Sequence, residues 1–266
     1  MNTKKREPAL DNFEDYGYMM AQLNLAFASW VEKKRHFNAK VSMRSGHPIL
    51  HAAKYLGKRG QANFCEWDEM WLNQTSMRNS YYENNENVAK YIVQEGLDKP
   101  FTLIDNGYKG TLSNVLTRKY GNKDLQTLLM IAFGSLSINK TQDAFFHGYS
   151  QLAYRLQDIV ELMPQEYYSF DEDNYIEYTQ GKIIVDKLRD SSVYQGDAFH
   201  SFHTGLEKGF VDCYDAVQSG DKAQFGKYID ALCASQLVPV FQGEMKYVEQ
   251  RLPEDKRKIQ DIYEKG

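Results

Sequence analysis

Short apolar runs alternate with helically spaced segments through the first half of the chain, and two of the runs lead straight into glycine-bearing turns. Such alternation admits few folds, because each strand has to reach a parallel neighbour through a helical crossover. Residues 15–36 repeat Met19, Met20, Leu23, Phe27, Trp30 and Val31 at three- and four-residue intervals and close on charged residues, which predicts a helix ending near Asn38. Residues 39–43 read as a strand, Arg44-Ser45-Gly46 as a tight turn, and residues 48–56 as a helix that tolerates Pro48 in its first turn. A second strand is expected over residues 63–67 and a short helix over 88–95. Phe101-Thr102-Leu103-Ile104 is an apolar run of the kind that fills a buried parallel strand, expected to stop at Asp105. A helix from Leu112 and a strand over 125–133 follow.

The pattern therefore predicts an α/β fold with a small, mainly parallel sheet in Rossmann-type layers. Beyond Thr141 the spacing reads as helical over 144–163, 199–219 and 223–247, with an exposed final helix after Pro253. The expected organisation is a phosphate-binding α/β core with an N-terminal helix over residues 1–140, and a helical C-terminal portion over 141–266 packed on it.

Composition narrows the function classes. Of 266 residues, 42% are apolar and 26% charged, enough for a core and against disorder as the main state. A formal charge of -4 gives no general attraction to nucleic acid or to anionic membranes. No run reaches the roughly 18 apolar residues of a membrane span, and the first residues lack the apolar centre of a secretory signal, so the expected location is cytoplasmic. Cys65, Cys213 and Cys233 form no C-x-x-C pair and signal neither a disulfide framework nor a zinc finger.

The richest segment for chemistry is the end of the Phe101 run. An acid, two glycines and a hydroxyl between strand and helix make a phosphate site, since backbone N–H groups converge there and glycine lets an anion approach closely. Asp105 is expected to face the crevice and hold a ribose hydroxyl or Mg2+, Lys109 to neutralise phosphate, and Asn106, Gly107, Gly110 and Thr111 to complete the cradle. The plainer reading needs the glycines for their dihedral angles and Thr111 for a cap. Arg44 and Gly46 form a second turn at a strand end, and on a neighbouring parallel strand they would add a guanidinium suited to a diphosphate. The ligand this implies is a phosphorylated small molecule, either a sugar diphosphate or a nucleotide.

Histidines offer weaker signals. His47 and His51 are four apart beside the Arg44 turn, while Asp197, His200 and His203 share one or adjacent faces of a later helix with no third strong ligand in the pattern. Solvated histidine is the simpler reading of His47 and His51, and a metal site is the weaker reading of the three residues on the later helix. The stripe Phe199, Phe202, Leu206, Phe210 reads as a core-facing helix face. Aromatic clusters at Trp67, Trp71, Tyr81, Tyr82 and at Tyr167, Tyr168, Phe170, Tyr175, Tyr178 read as packing surface before they read as a stacking platform.

The order VSMRSGHPILHAAKYLG, MWLNQTSMR, FTLIDNGYKGTLSNVLTRKYG resembles a domain of predicted hydrolases of the haloacid dehalogenase superfamily from bacterial surface-glycan gene clusters. That domain carries an Arg-Asp-Gly turn, a Ser-Arg element and an Asp-x-Gly-x-x-Gly-Thr/Ser turn, and the likeness covers roughly residues 27–163. Ser45 stands where the family has aspartate, and the chain contains no D-x-D-x-[TV] nucleophile motif. The same order is remotely similar to type I phosphoribosyltransferases, with Arg44 and Gly46 matching the diphosphate loop and Asp105, Gly110 and Thr111 the phosphoribosyl loop. Asn106 replaces the second acid of that loop. This resemblance implies a phosphoribosyltransferase-like sheet, Mg2+ as cofactor, Arg44 and Asp105 as catalytic residues, and residues 71–87 as a hood over the site. The implied activity is transfer of a phosphorylated sugar to an acceptor. The alternative is a non-catalytic scaffold that binds a nucleotide or phosphosugar, or a protein partner.

Overall fold

The computed structural model describes residues 10–34, 36–42, 46–60, 66–72, 86–108, 110–132, 142–147, 176–179, 182–185 and 193–218. In chain order the elements are α1 (Leu10–Glu32), β1 (Ala39–Ser42), α2 (His47–Lys58), β2 (Asp68–Met70), α3 (Glu86–Gln94), β3 (Thr102–Tyr108) and α4 (Thr111–Arg118). They continue with β4 (Gln126–Ala132), β5 (Gln142–His147), β6 (Ile176–Thr179), β7 (Lys182–Val185) and α5 (Val193–Gln218). The fold is α/β. Five strands form one sheet in the order β2-β1-β3-β4-β5, every neighbouring pair parallel.

This order is doubly wound. From β1 the chain steps outward to β2, then returns past β1 to build β3, β4 and β5 on the other side. Right-handed crossovers in opposite directions put α2 on one face and α3 and α4 on the other. The burial agrees, because residues 128–132 are consecutive in β4 and each is at most 1% exposed, which requires cover on both faces. β6 and β7 pair antiparallel as a separate hairpin against α3.

Helix α1 joins α2 and α5 in one layer. Its inner side meets β5 through Phe27 and Trp30, whose rings lie 6.1 and 5.7 Å from that of Phe145. Lys34 Nζ donates to Asp143 Oδ2 at 2.7 Å, beyond the end of α1. Against α5 the approach is closer still. A Cβ at Gly205 would stand 1.7 Å from the Glu14 carbonyl oxygen, and one at Gly17 1.9 Å from that of Phe202, so the two backbones touch where both helices carry glycine. The predicted stripe of α5 faces this core, with Phe202, Leu206 and Phe210 all buried.

Several expectations are corrected. Residues 142–147 are the fifth parallel strand where a helix over 144–163 was expected, because a short apolar run has no periodicity of its own and the ladder with β4 settles it. The sheet thus extends past residue 140, and β6 and β7 add strand to a half expected to be helical. The second strand is Asp68–Met70, later than expected, with residues 61–65 outside the described ones. β3 runs on to Tyr108 and does not stop at Asp105. The helices expected over 223–247 and after Pro253, and the hood over 73–85, lie outside the described residues.

Candidate functional site

Strand lengths shape the C-terminal edge of the sheet. The β1–β3 ladder reaches Val41 opposite Ile104, and β1 ends at Ser42. On its other side β3 stays paired with β4 up to Tyr108 opposite Ala132, and β4 with β5 up to His147. In this register Ser42 is level with Asp105, so three residues of β3 rise past the end of β1, a step about 10 Å high at 3.3 Å per residue. It falls where the winding of the sheet reverses, the place where doubly wound sheets receive ligands.

Both helices at this step begin on glycine. Gly46 precedes α2 and Gly110 precedes α4, and neither start has a side-chain cap, so the positive end of each helix dipole lies at the step. Gly110 adopts φ 62°, a left-handed conformation that glycine takes without strain. Gly46 is needed for space, since a Cβ there would lie 2.1 Å from the Ser42 carbonyl oxygen. Gln142 Nε2 donates to Ser113 Oγ at 2.5 Å and ties β5 to the first turn of α4.

The structure thus brings the two sequence-predicted turns to adjacent strands. Gly46, Gly110 and Thr111 stand at the helix starts as expected. Asp105, Asn106 and Gly107 sit elsewhere than expected. They belong to the body of β3, in register with β4, with Asp105 opposite Leu129 and Gly107 opposite Ile131. Asp105 is half-buried at the foot of the step and Asn106 is buried, so Asn106 belongs to the packed sheet and not to the Gly110 turn. Arg44, Ser45 and Lys109 lie outside the described residues.

Beside this step stands a cluster that spacing alone did not reveal. His47 opens α2, His51 follows one turn later, and His203 reaches them from α5. The ring centroids are 4.5 Å apart for His47 and His51, 4.9 Å for His47 and His203, and 4.5 Å for His51 and His203. One ligating atom from each lies within 4.8 Å of the others, and all three side chains are half-buried. Burial lowers the pKa of His47 to about 2, with the neighbouring imidazoles and Lys54 pushing the same way. Burial likewise lowers His203 to about 3, aided by His51 and His200. His51 is lowered chiefly by burial and then by Lys54, with Glu207 and Glu69 opposing. All three imidazoles are therefore neutral at pH 7, the form that ligates metals.

His200, three residues before His203, is exposed and stands outside the cluster. The i, i+4 pair in α2 and the histidine beside the buried stripe of α5 were the available signals. No periodicity along the chain could join them. Among the described residues no helix is long and apolar enough to cross a membrane.

The strand order and the step define a doubly wound α/β protein whose winding reverses between β1 and β3. No family model, curated protein or solved structure matches the chain.

Proposed function

We propose that the chain binds a phosphorylated small molecule, a sugar diphosphate or a nucleotide, in the step between β1 and β3. The supporting observation is the overrun of β3 past β1 at the switch of winding, flanked by two glycine-started helices without side-chain caps. The positive ends of two helix dipoles favour an anion there. Arg44, in the three-residue connection from Ser42 to Gly46, supplies the guanidinium for a diphosphate. Thr111 adds a hydroxyl at the start of α4.

Phosphoribosyl transfer is the enzymatic form of this reading, favoured by one feature: the Asp105 carboxyl at the foot of the step. In that form Asp105 holds Mg2+ or the ribose hydroxyls, and Arg44 with the metal stabilises a departing diphosphate electrostatically. A purely binding protein needs only the two turns.

Thermal melting with phosphoribosyl diphosphate, nucleotides, nucleotide sugars and inorganic phosphate, each with and without Mg2+, tests both forms. A ligand present at a hundred times its Kd stabilises the native state by about 2.7 kcal/mol. Binding predicts a higher Tm with at least one phosphorylated compound, lost in Arg44→Ala. Transfer further predicts that the shift needs Mg2+ and that Asp105→Asn removes this need together with most of the shift. A flat panel removes the reading.

A further inference from the structure

We propose that His47, His51 and His203 form a binding site for one divalent transition-metal ion of the zinc class, with a coordination position left open. The site is distinct from the Mg2+ expected at Asp105 and adjoins the Gly46 turn, and it goes beyond the binding reading above.

Geometry carries the assignment. Histidines four apart on a helix present their rings on one face, and here a third arrives from a different element, as a three-point chelate requires. A tetrahedral ion with metal–nitrogen bonds of 2.0–2.1 Å needs its nitrogens about 3.3 Å apart. The donor atoms lie within 4.8 Å of one another. Closing the widest separation thus takes about 1.5 Å, within reach of ring rotations at fixed backbone.

Donor chemistry selects the ion. Imidazole nitrogen suits zinc, cobalt, nickel and copper, whereas magnesium demands oxygen ligands in octahedral array. Three protein ligands, the set among the described residues, leave the fourth tetrahedral position for water or substrate, the pattern of catalytic zinc sites rather than closed structural ones. Half-burial leaves a path for the ion and for that fourth ligand. Glu207, one turn beyond His203, and Glu69 on β2 act electrostatically on His51 and supply negative charge close to the cation. His47 directly follows Gly46, so the ion sits at the α2 end of the crevice.

The competing reading is an aromatic cluster of three imidazoles packed tilted and edge-on, for which centroid spacings of 4.5–4.9 Å are also suitable. Titration of the EDTA-treated full-length chain with Co2+ separates the two. The site predicts one equivalent bound, with the intense visible d–d absorption of four-coordinate cobalt and no thiolate charge-transfer band from cysteine. Zinc should displace the cobalt, and a large excess of magnesium should not. His203→Asn should weaken cobalt binding at least about tenfold. His200→Asn, on the same helix and exposed, should leave it unchanged. Absence of a saturable cobalt spectrum in the unsubstituted protein overturns the proposal without reliance on any variant. So does a thiolate band, or a loss caused by His200→Asn and not by His203→Asn.

Discussion

At the scale of single residues, the three histidines leave a mark on stability independent of any ligand. Their folded pKa values lie below the ordinary histidine value of about 6.5, His47 near 2 and His203 near 3, mainly because burial disfavours the charged form. Between the folded and unfolded values the unfolded chain binds more protons than the native one, so native stability rises with pH through that window. The contribution is complete above about pH 6.5 and is lost progressively as pH falls toward the folded values. With EDTA present, Tm should therefore drop as pH is lowered from 7 to 5. His203→Gln should flatten that slope. An unchanged slope in His203→Gln would mean that burial does not hold this imidazole neutral. Other residues were legible from type and position: Gly46, Gly110 and Thr111 stand at the starts of α2 and α4, where the turn chemistry put them. Asp105 and Asn106 were misplaced because a four-residue apolar run sets a minimum strand length, and only pairing with β4 shows how far the strand continues.

At the scale of elements, the decisive contact is the backbone approach of α1 and α5. Propensity predicts that Gly205→Ala stabilises α5 by about 1 kcal/mol, since alanine is the better helix former. Packing predicts the opposite sign. The added Cβ would overlap the Glu14 carbonyl oxygen at 1.7 Å and press on Tyr18 N at 2.9 Å, and neither backbone atom can yield without parting the helices. Overpacking of this kind costs about 1–3 kcal/mol or more, so thermal melting should show a Tm lower by roughly 2–12 °C. Because Gly205 is two residues from His203, the same variant should also weaken cobalt binding. A Tm at or above that of the unsubstituted protein would show that the contact is looser than described. Most helices could be placed from their periodicity to within a few residues, as α2 and α4 illustrate. β5 could not, because Ala144, Phe145 and Phe146 fit a strand and a buried helix equally well until a neighbour supplies hydrogen bonds.

At the scale of the whole molecule, α5 returns across most of the chain to lie on α1 and α2, so an ion held by His47, His51 and His203 would pin a late helix to an early one. Metal binding to a native site is coupled to folding. Amide hydrogen exchange should accordingly slow on addition of zinc in α2 and α5, and much less in β4 at the centre of the sheet. Uniform slowing everywhere would indicate only a global rise in stability, and no change would mean that the helices are not bridged. The sequence by itself determined the α/β class, the glycine starts of α2 and α4 and the buried stripe of α5, because each rests on turn chemistry or on a period of two or 3.6 residues within one segment. Only the tertiary structure decided that β1 lies beside β3, that β3 overruns it, and that His203 meets His47 and His51. Strand order and helix docking arise from contacts between segments far apart in the chain, such as the glycine-lined approach of α1 to α5, and a local period carries no record of them.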